Sequence, residues 1–103
     1  MAEWIDVARI DELTPGNRKI IMTDVAEIAV FNLDGEFFAI EDVCTHDGGE
    51  LASGVCDGDQ IICPRHGARF CIRSGKVLTP PAYEDIETFP VRIDQGVVQI
   101  DIE

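Results

Sequence analysis

Basic residues are scarce in this 103-residue chain: 8 Lys and Arg stand against 20 Asp and Glu, a formal charge of −12. So acidic a surface repels phosphate backbones and anionic headgroups, which argues against nucleic-acid binding and against adhesion to an anionic membrane. It leaves open docking to a less acidic or basic partner. Long apolar runs are missing too, since no segment approaches the ~18 consecutive apolar residues of a membrane span. The first residues, Met1-Ala2-Glu3-Trp4-Ile5-Asp6, hold no basic n-region, no apolar h-region and no twin arginine. A cytoplasmic protein without a membrane anchor is therefore expected. There is no convincing helical stripe, no repeat, no low-complexity tract and no nucleotide fingerprint, so nothing points to a substrate-processing enzyme. The length fits one domain spanning residues 1–103, expected to be a monomer.

What is present reads as strand and turn. Trp4 to Ile10 alternates, with Trp4, Asp6 and Ala8 on one face and Ile5, Val7 and Arg9 on the other. Arg18 to Thr23, Val25 to Asn32 and Glu36 to Ile40 are rich in Ile, Val and Phe, and Ile86 to Ile93 and Val97 to Ile102 form a C-terminal pair. Asp34-Gly35 marks a tight hairpin and Gln95-Gly96 a second. Glu12-Leu13 opens at most one short helical turn. The expectation is an all-β protein, an antiparallel sandwich-like base built from residues 1–41 and 81–103. A smaller lobe of about 42–80 is inserted into it and holds most of the Gly and Cys.

Within that lobe lie Cys44-Thr45-His46 and Cys63-Pro64-Arg65-His66, a C-x-H-x16-C-x2-H pattern that uses both histidines of the chain. Four cysteines without a secretory signal suggest metal ligation rather than a disulfide framework. Two Cys and two His could form a tetrahedral zinc set, but zinc modules usually pair Cys with Cys and His with His. Here each loop mixes the two types. That mixture suits a two-iron cluster with two thiolates on one iron and two imidazoles on the other. Gly48-Gly49 and Gly67 would let backbone N–H groups approach inorganic sulfide, and Pro64 stiffens the second loop.

These loops closely resemble the Rieske [2Fe–2S] family. The likeness extends through Asp34-Gly35-Glu36-Phe37-Phe38-Ala39-Ile40, Ser74-Gly75-Lys76, Pro80-Pro81-Ala82 and Phe89-Pro90-Val91. It implies that Cys44 and Cys63 coordinate an inner iron and His46 and His66 an outer iron nearer the surface. It also implies a Rieske-type β base with a cluster-binding lobe. Soluble, anchor-free members of this size resemble the ferredoxin components of aromatic-ring-hydroxylating dioxygenases. Such a chain would carry single electrons from a flavin-dependent reductase to a terminal oxygenase. Two alternatives stand beside this one: the small subunit of an assimilatory nitrite reductase, which often lacks the ligands, and a zinc-binding or redox-sensing module.

Departures from the family's high-potential branch sharpen the expectation. That branch braces its loops with a disulfide at the positions of Gly49 and Arg65, and donates hydroxyl hydrogen bonds to cluster sulfur from those of Ala68 and Phe70. None of the four residues can do so here. Hydrogen bonds to sulfur raise the potential, so a value near the low end of the Rieske range, roughly −150 mV, is implied. Cys56 and Cys71 read as small buried hydrophobes, with a mutual disulfide or redox sensing as the alternative. Arg65, Arg69, Arg73 and Lys76 fall within twelve positions and form either a solvated scatter of charge or a positive patch for partners.

Overall fold

A computed structural model describes residues 2–45 and 48–103. Among them there are ten strands and no helix, and every ladder is antiparallel. The strands are β1 Trp4–Arg9, β2 Arg18–Met22, β3 Glu27–Leu33, β4 Glu36–Glu41 and β5 Cys56–Asp57. They continue with β6 Gln60–Ile62, β7 Arg69–Cys71, β8 Thr88–Phe89, β9 Val91–Asp94 and β10 Val97–Asp101. They form three sheets, ordered β1-β10-β9, β2-β3-β4-β8 and β5-β6-β7.

Strand β3 explains how the sheets stack. Alternate residues of a strand face opposite ways, yet Ile28 through Asn32 are all buried. Ile28 and Val30 enter one apolar cluster with Val7, Leu13, Val98 and Ile100. Ala29 and Phe31 enter another with Cys44, Leu51, Cys63, Ala68, Phe70 and Ile72. The central sheet is therefore walled on one face by β1 and β10 and on the other by the lobe that carries the cysteines. Asn32, the buried polar residue of this strand, is satisfied on both sides. Its Nδ2 donates to Leu13 O at 2.7 Å, and its Oδ1 accepts from Gly35 N at 2.7 Å.

The tight turns form where expected. Asp34 and Gly35 take φ of 53° and 94°, and Gln95 and Gly96 take 51° and 77°, the left-handed pair that a two-residue hairpin requires. Three segments differ from the pattern reading. Residues 86–93 do not make one strand: β8 pairs with β4 and β9 pairs with β10. Pro90, with no N–H to give a ladder, sits where the chain passes from one sheet to the other. In β1 the register shifts between Asp6 and Ala8, so Val7 is an added residue that a strict alternation cannot anticipate. Strand β3 starts at Glu27 rather than Val25, because Thr23 Oγ1 accepts from Val25 N and Ala26 N and turns the chain first.

Candidate metal centre

Two hexapeptides build the centre. In the first, Cys44 N donates to Gly49 O at 2.8 Å and Gly48 N donates to Cys44 O at 2.7 Å. In the second, Cys63 N donates to Ala68 O at 2.7 Å and Gly67 N donates to Cys63 O at 3.0 Å. Each knuckle thus has a Cys at its first position and a left-handed Gly at its fifth, with φ of 75° at Gly48 and 76° at Gly67. A Cβ at either glycine would meet nothing within 4 Å. The glycines are therefore demanded by backbone conformation, not by crowding.

The thiols sit at the roots of these knuckles, Cys44 0% and Cys63 1% exposed, in one shared core cluster. No disulfide joins any of the four cysteines. Pro64, Arg65 and His66 are exposed on the second knuckle. His46, the remaining predicted ligand, lies outside the described residues. Among the described residues no three His, Cys, Asp or Glu side chains converge into a metal-holding group. What the fold does bring together is the thiol pair. Two buried thiols in one core cluster, with His66 exposed on the second knuckle, fit a group that needs two thiolate ligands at the inner end and imidazoles nearer solvent.

The supports of this arrangement were not evident from the motif. Asp42, two residues before Cys44 and only 6% exposed, accepts from Leu51 N at 2.8 Å and Ala52 N at 2.7 Å through Oδ1. The carboxylate closes the base of the first knuckle by charge-assisted bonds. Arg18 reaches over from β2, its Nη1 donating to Ala52 O at 2.6 Å and Gly54 O at 2.8 Å, with its guanidinium over the Phe31 ring. Gly54 then passes so close to the Ile62 carbonyl that any Cβ there would collide with it. Residues 51–54 are in this way a strut between the knuckles. An acid before the first cysteine was the only sequence signal for it; Arg18 left none.

Several neighbouring expectations resolve here. Ala68 and Phe70 are fully buried beside the thiols in the same cluster, and neither carries a hydroxyl. Cys56 lies on β5 and Cys71 on β7, opposite Ile61 and Gln60 of the intervening β6. Two strand spacings of about 4.8 Å separate them, too far for a disulfide. Burial pushes the Cys56 thiol up from its ordinary range, with Arg18 opposing, so it is a poor nucleophile. The basic run is largely spent within the fold. Arg69 pairs with Asp57 at 2.9 Å, and Arg73 pairs with Glu36 at 3.2 Å and Asp59 at 3.5 Å. A positive patch made of all four residues does not form.

Comparison with known proteins agrees with this chemistry. The family model for the Rieske [2Fe-2S] domain matches residues 3–90, and the chain belongs to that family. With membership comes one Rieske-type [2Fe–2S] cluster and the role of an electron carrier. The chain is 42% identical over 93 residues to the biphenyl dioxygenase ferredoxin subunit of Pseudomonas sp. strain KKS102, covering 89% of this chain and 85% of that one. It is 35% identical over 100 residues to the ferredoxin component of naphthalene 1,2-dioxygenase/salicylate 5-hydroxylase systems from Ralstonia sp., covering 97% and 96%. Among solved structures, the Sphingomonas yanoikuyae B1 ferredoxin superposes with a TM-score of 0.89 at 32% identity, covering 98% and 100%. A chain from the complex of reduced oxygenase and oxidized ferredoxin in carbazole 1,9a-dioxygenase gives 0.90 at 31% identity, covering 95% and 92%.

Proposed function

We propose that this chain is the shuttle of a multicomponent aromatic-ring dioxygenase, taking single electrons from a flavin-dependent reductase and passing them to a terminal oxygenase in the cytoplasm. The observation that carries the reading is the pair of matched knuckles with buried thiols in a chain of this family. Cys44 and Cys63 are assigned to the inner iron and His46 and His66 to the outer one. The division into a base of residues 1–41 and 81–103 and a cluster lobe of about 42–80 belongs to the same proposal. The names of relatives support the pairing with an oxygenase; the reductase follows from the need for an electron source.

When bound, the cluster supplies a one-electron couple, and the chain's own residues set its surroundings. The thiol roots are kept from water by Phe70, Leu51 and Ile72. Ala68 and Phe70 offer no hydroxyl to sulfur, which keeps the reduced form less stabilised and the potential low, roughly −150 mV. Exposure of His66 puts that ligand where a partner can approach closely.

The test is spectroscopic and electrochemical. The purified protein should be red-brown, and its dithionite-reduced EPR spectrum should show the low average g value of mixed Cys/His ligation. His46→Cys and His66→Cys should each change that spectrum, whereas a colourless zinc protein would overturn the assignment. Film voltammetry placing the midpoint above about +100 mV would contradict the low-potential reading. Reductase-dependent turnover with a terminal oxygenase tests the shuttle role itself.

A further inference from the structure

Tyr83 is 82% exposed, while the other six aromatic side chains of the sequence are buried or half-buried. A single exposed ring on a loose loop would carry no meaning. This ring stands on a pinned arc. Ala82 and Ile86 on either side of it are both in the core. Ile86 N donates to Gly75 O at 2.7 Å, Val77 N to Asp85 Oδ1 at 2.9 Å, and Thr45 Oγ1 to Glu84 O at 2.7 Å. The last bond fastens the arc to the first cysteine knuckle, so the ring is held beside the proposed centre. Little entropy remains to be lost when it meets a partner. Around it acids outnumber bases: exposed Glu84, Asp85 and Glu87 follow in the chain and exposed Glu50 follows the first knuckle, against Lys76, which lies between the Gly75 and Val77 that the arc bonds. Arg65 is the one Lys or Arg on the two knuckles.

An aromatic centre with an acidic rim is half of a complementary pair. Interface anchors are commonly Tyr or Trp, ringed by groups that exclude water and set orientation by charge. We infer that Tyr83 is the apolar anchor of the electron-transfer face, and that it seats against a redox partner whose own site is an apolar patch rimmed by Lys and Arg. This rests on the electron-carrier reading above and deepens it by naming a contact residue and the partner's surface chemistry. Tyr83 is placed as a docking residue, with no part in holding the cluster.

Ferric cytochrome c, a basic protein with an exposed haem edge ringed by lysines, is a suitable probe. The dithionite-reduced holoprotein, freed of excess reductant, loses one electron and the haem iron gains it, going from ferric to ferrous. Stopped-flow absorbance gives the second-order rate constant. Tyr83→Ser should lower it about tenfold while the midpoint potential stays unchanged. Tyr83→Phe should keep most of the rate, and the wild-type rate should fall as ionic strength rises. Ile93, half-exposed on β9 beside the Gly35 turn at the end of β4 away from Cys44, serves as control, and Ile93→Ser should match wild type. A Tyr83→Ser rate within about twofold of wild type overturns the inference, as does an equal loss in Ile93→Ser or a shifted midpoint in Tyr83→Ser. If the reduced wild-type protein delivers no electron, the carrier role itself fails and the docking assignment falls with it.

Discussion

Ala68 ends the second knuckle with its side chain fully buried and its carbonyl accepting from Cys63 N. A hydroxyl at that point lies among the thiols, with few other acceptors to satisfy it. Ala68→Ser should therefore raise the midpoint potential by tens of millivolts, about 59 mV for each tenfold stabilisation of the reduced form. Voltammetry of the two proteins side by side checks it, and Phe70→Tyr should move in the same direction. Glu27 offers a residue-scale test of a different kind. Its carboxyl is raised above the ordinary 4.5, first by a side-chain hydrogen bond to Asp42, then by burial and by the charges of Asp42 and Glu50. Asp42 Oδ2 is buried without a hydrogen-bond partner, and protonation lets the neighbouring Glu27 carboxyl donate to the Asp42 carboxylate. Because the folded protein then holds this proton more tightly than the unfolded chain, the contribution is full below about 4.5 and is lost as pH rises through the elevated folded value. Glu27→Gln keeps a donor without the charge. Urea titrations at pH 5 and pH 8 should show the variant more stable than wild type at pH 8, with a smaller difference between the two pH values.

At the scale of elements, the knuckles depend on their fifth residues. Gly48 and Gly67 adopt almost the same left-handed φ, which costs an L-residue roughly 1–2 kcal/mol. Gly48→Ala and Gly67→Ala should each destabilise by about that amount despite the open space at both sites, read as a lowered urea midpoint. Cys44 and Cys63 were legible as a buried pair on matching loops because the motif repeats a Cys followed by a Gly at the fifth position. The Asp34-Gly35 and Gln95-Gly96 hairpins were legible because only certain residues tolerate their φ. The break at Pro90 was present as a letter, yet its effect depended on which sheets the two sides join. The added residue at Val7 and the reach of Arg18 to Ala52 and Gly54 depend on non-local contacts, which periodicity does not encode. Arg69 and Arg73 could be read in one dimension as scattered charge or as part of a patch; in three they are ion pairs, because Asp57, Asp59 and Glu36 fold beside them.

At the scale of the whole molecule, a net charge of −12 accompanies exposed His66 on the second knuckle and exposed Tyr83 on the arc tied to the first. Long-range attraction to a basic partner and the short-range fit of the ring then act in sequence on one encounter. The central sheet is buried on both sides, so β3 is a partition wall between two rooms. Its even residues support the room that closes the base, and its odd residues support the room that shelters the thiols. Val30→Ala should cost about 2 kcal/mol of global stability and leave the visible and EPR spectra of the holoprotein unaltered. Phe31→Ala should cost about 3–5 kcal/mol and also broaden those spectra or hasten cluster loss, because its cavity opens on the thiol side. Moving one position along a single strand thus selects which compartment is disturbed. Stability and redox behaviour can be adjusted separately from the same stretch of chain.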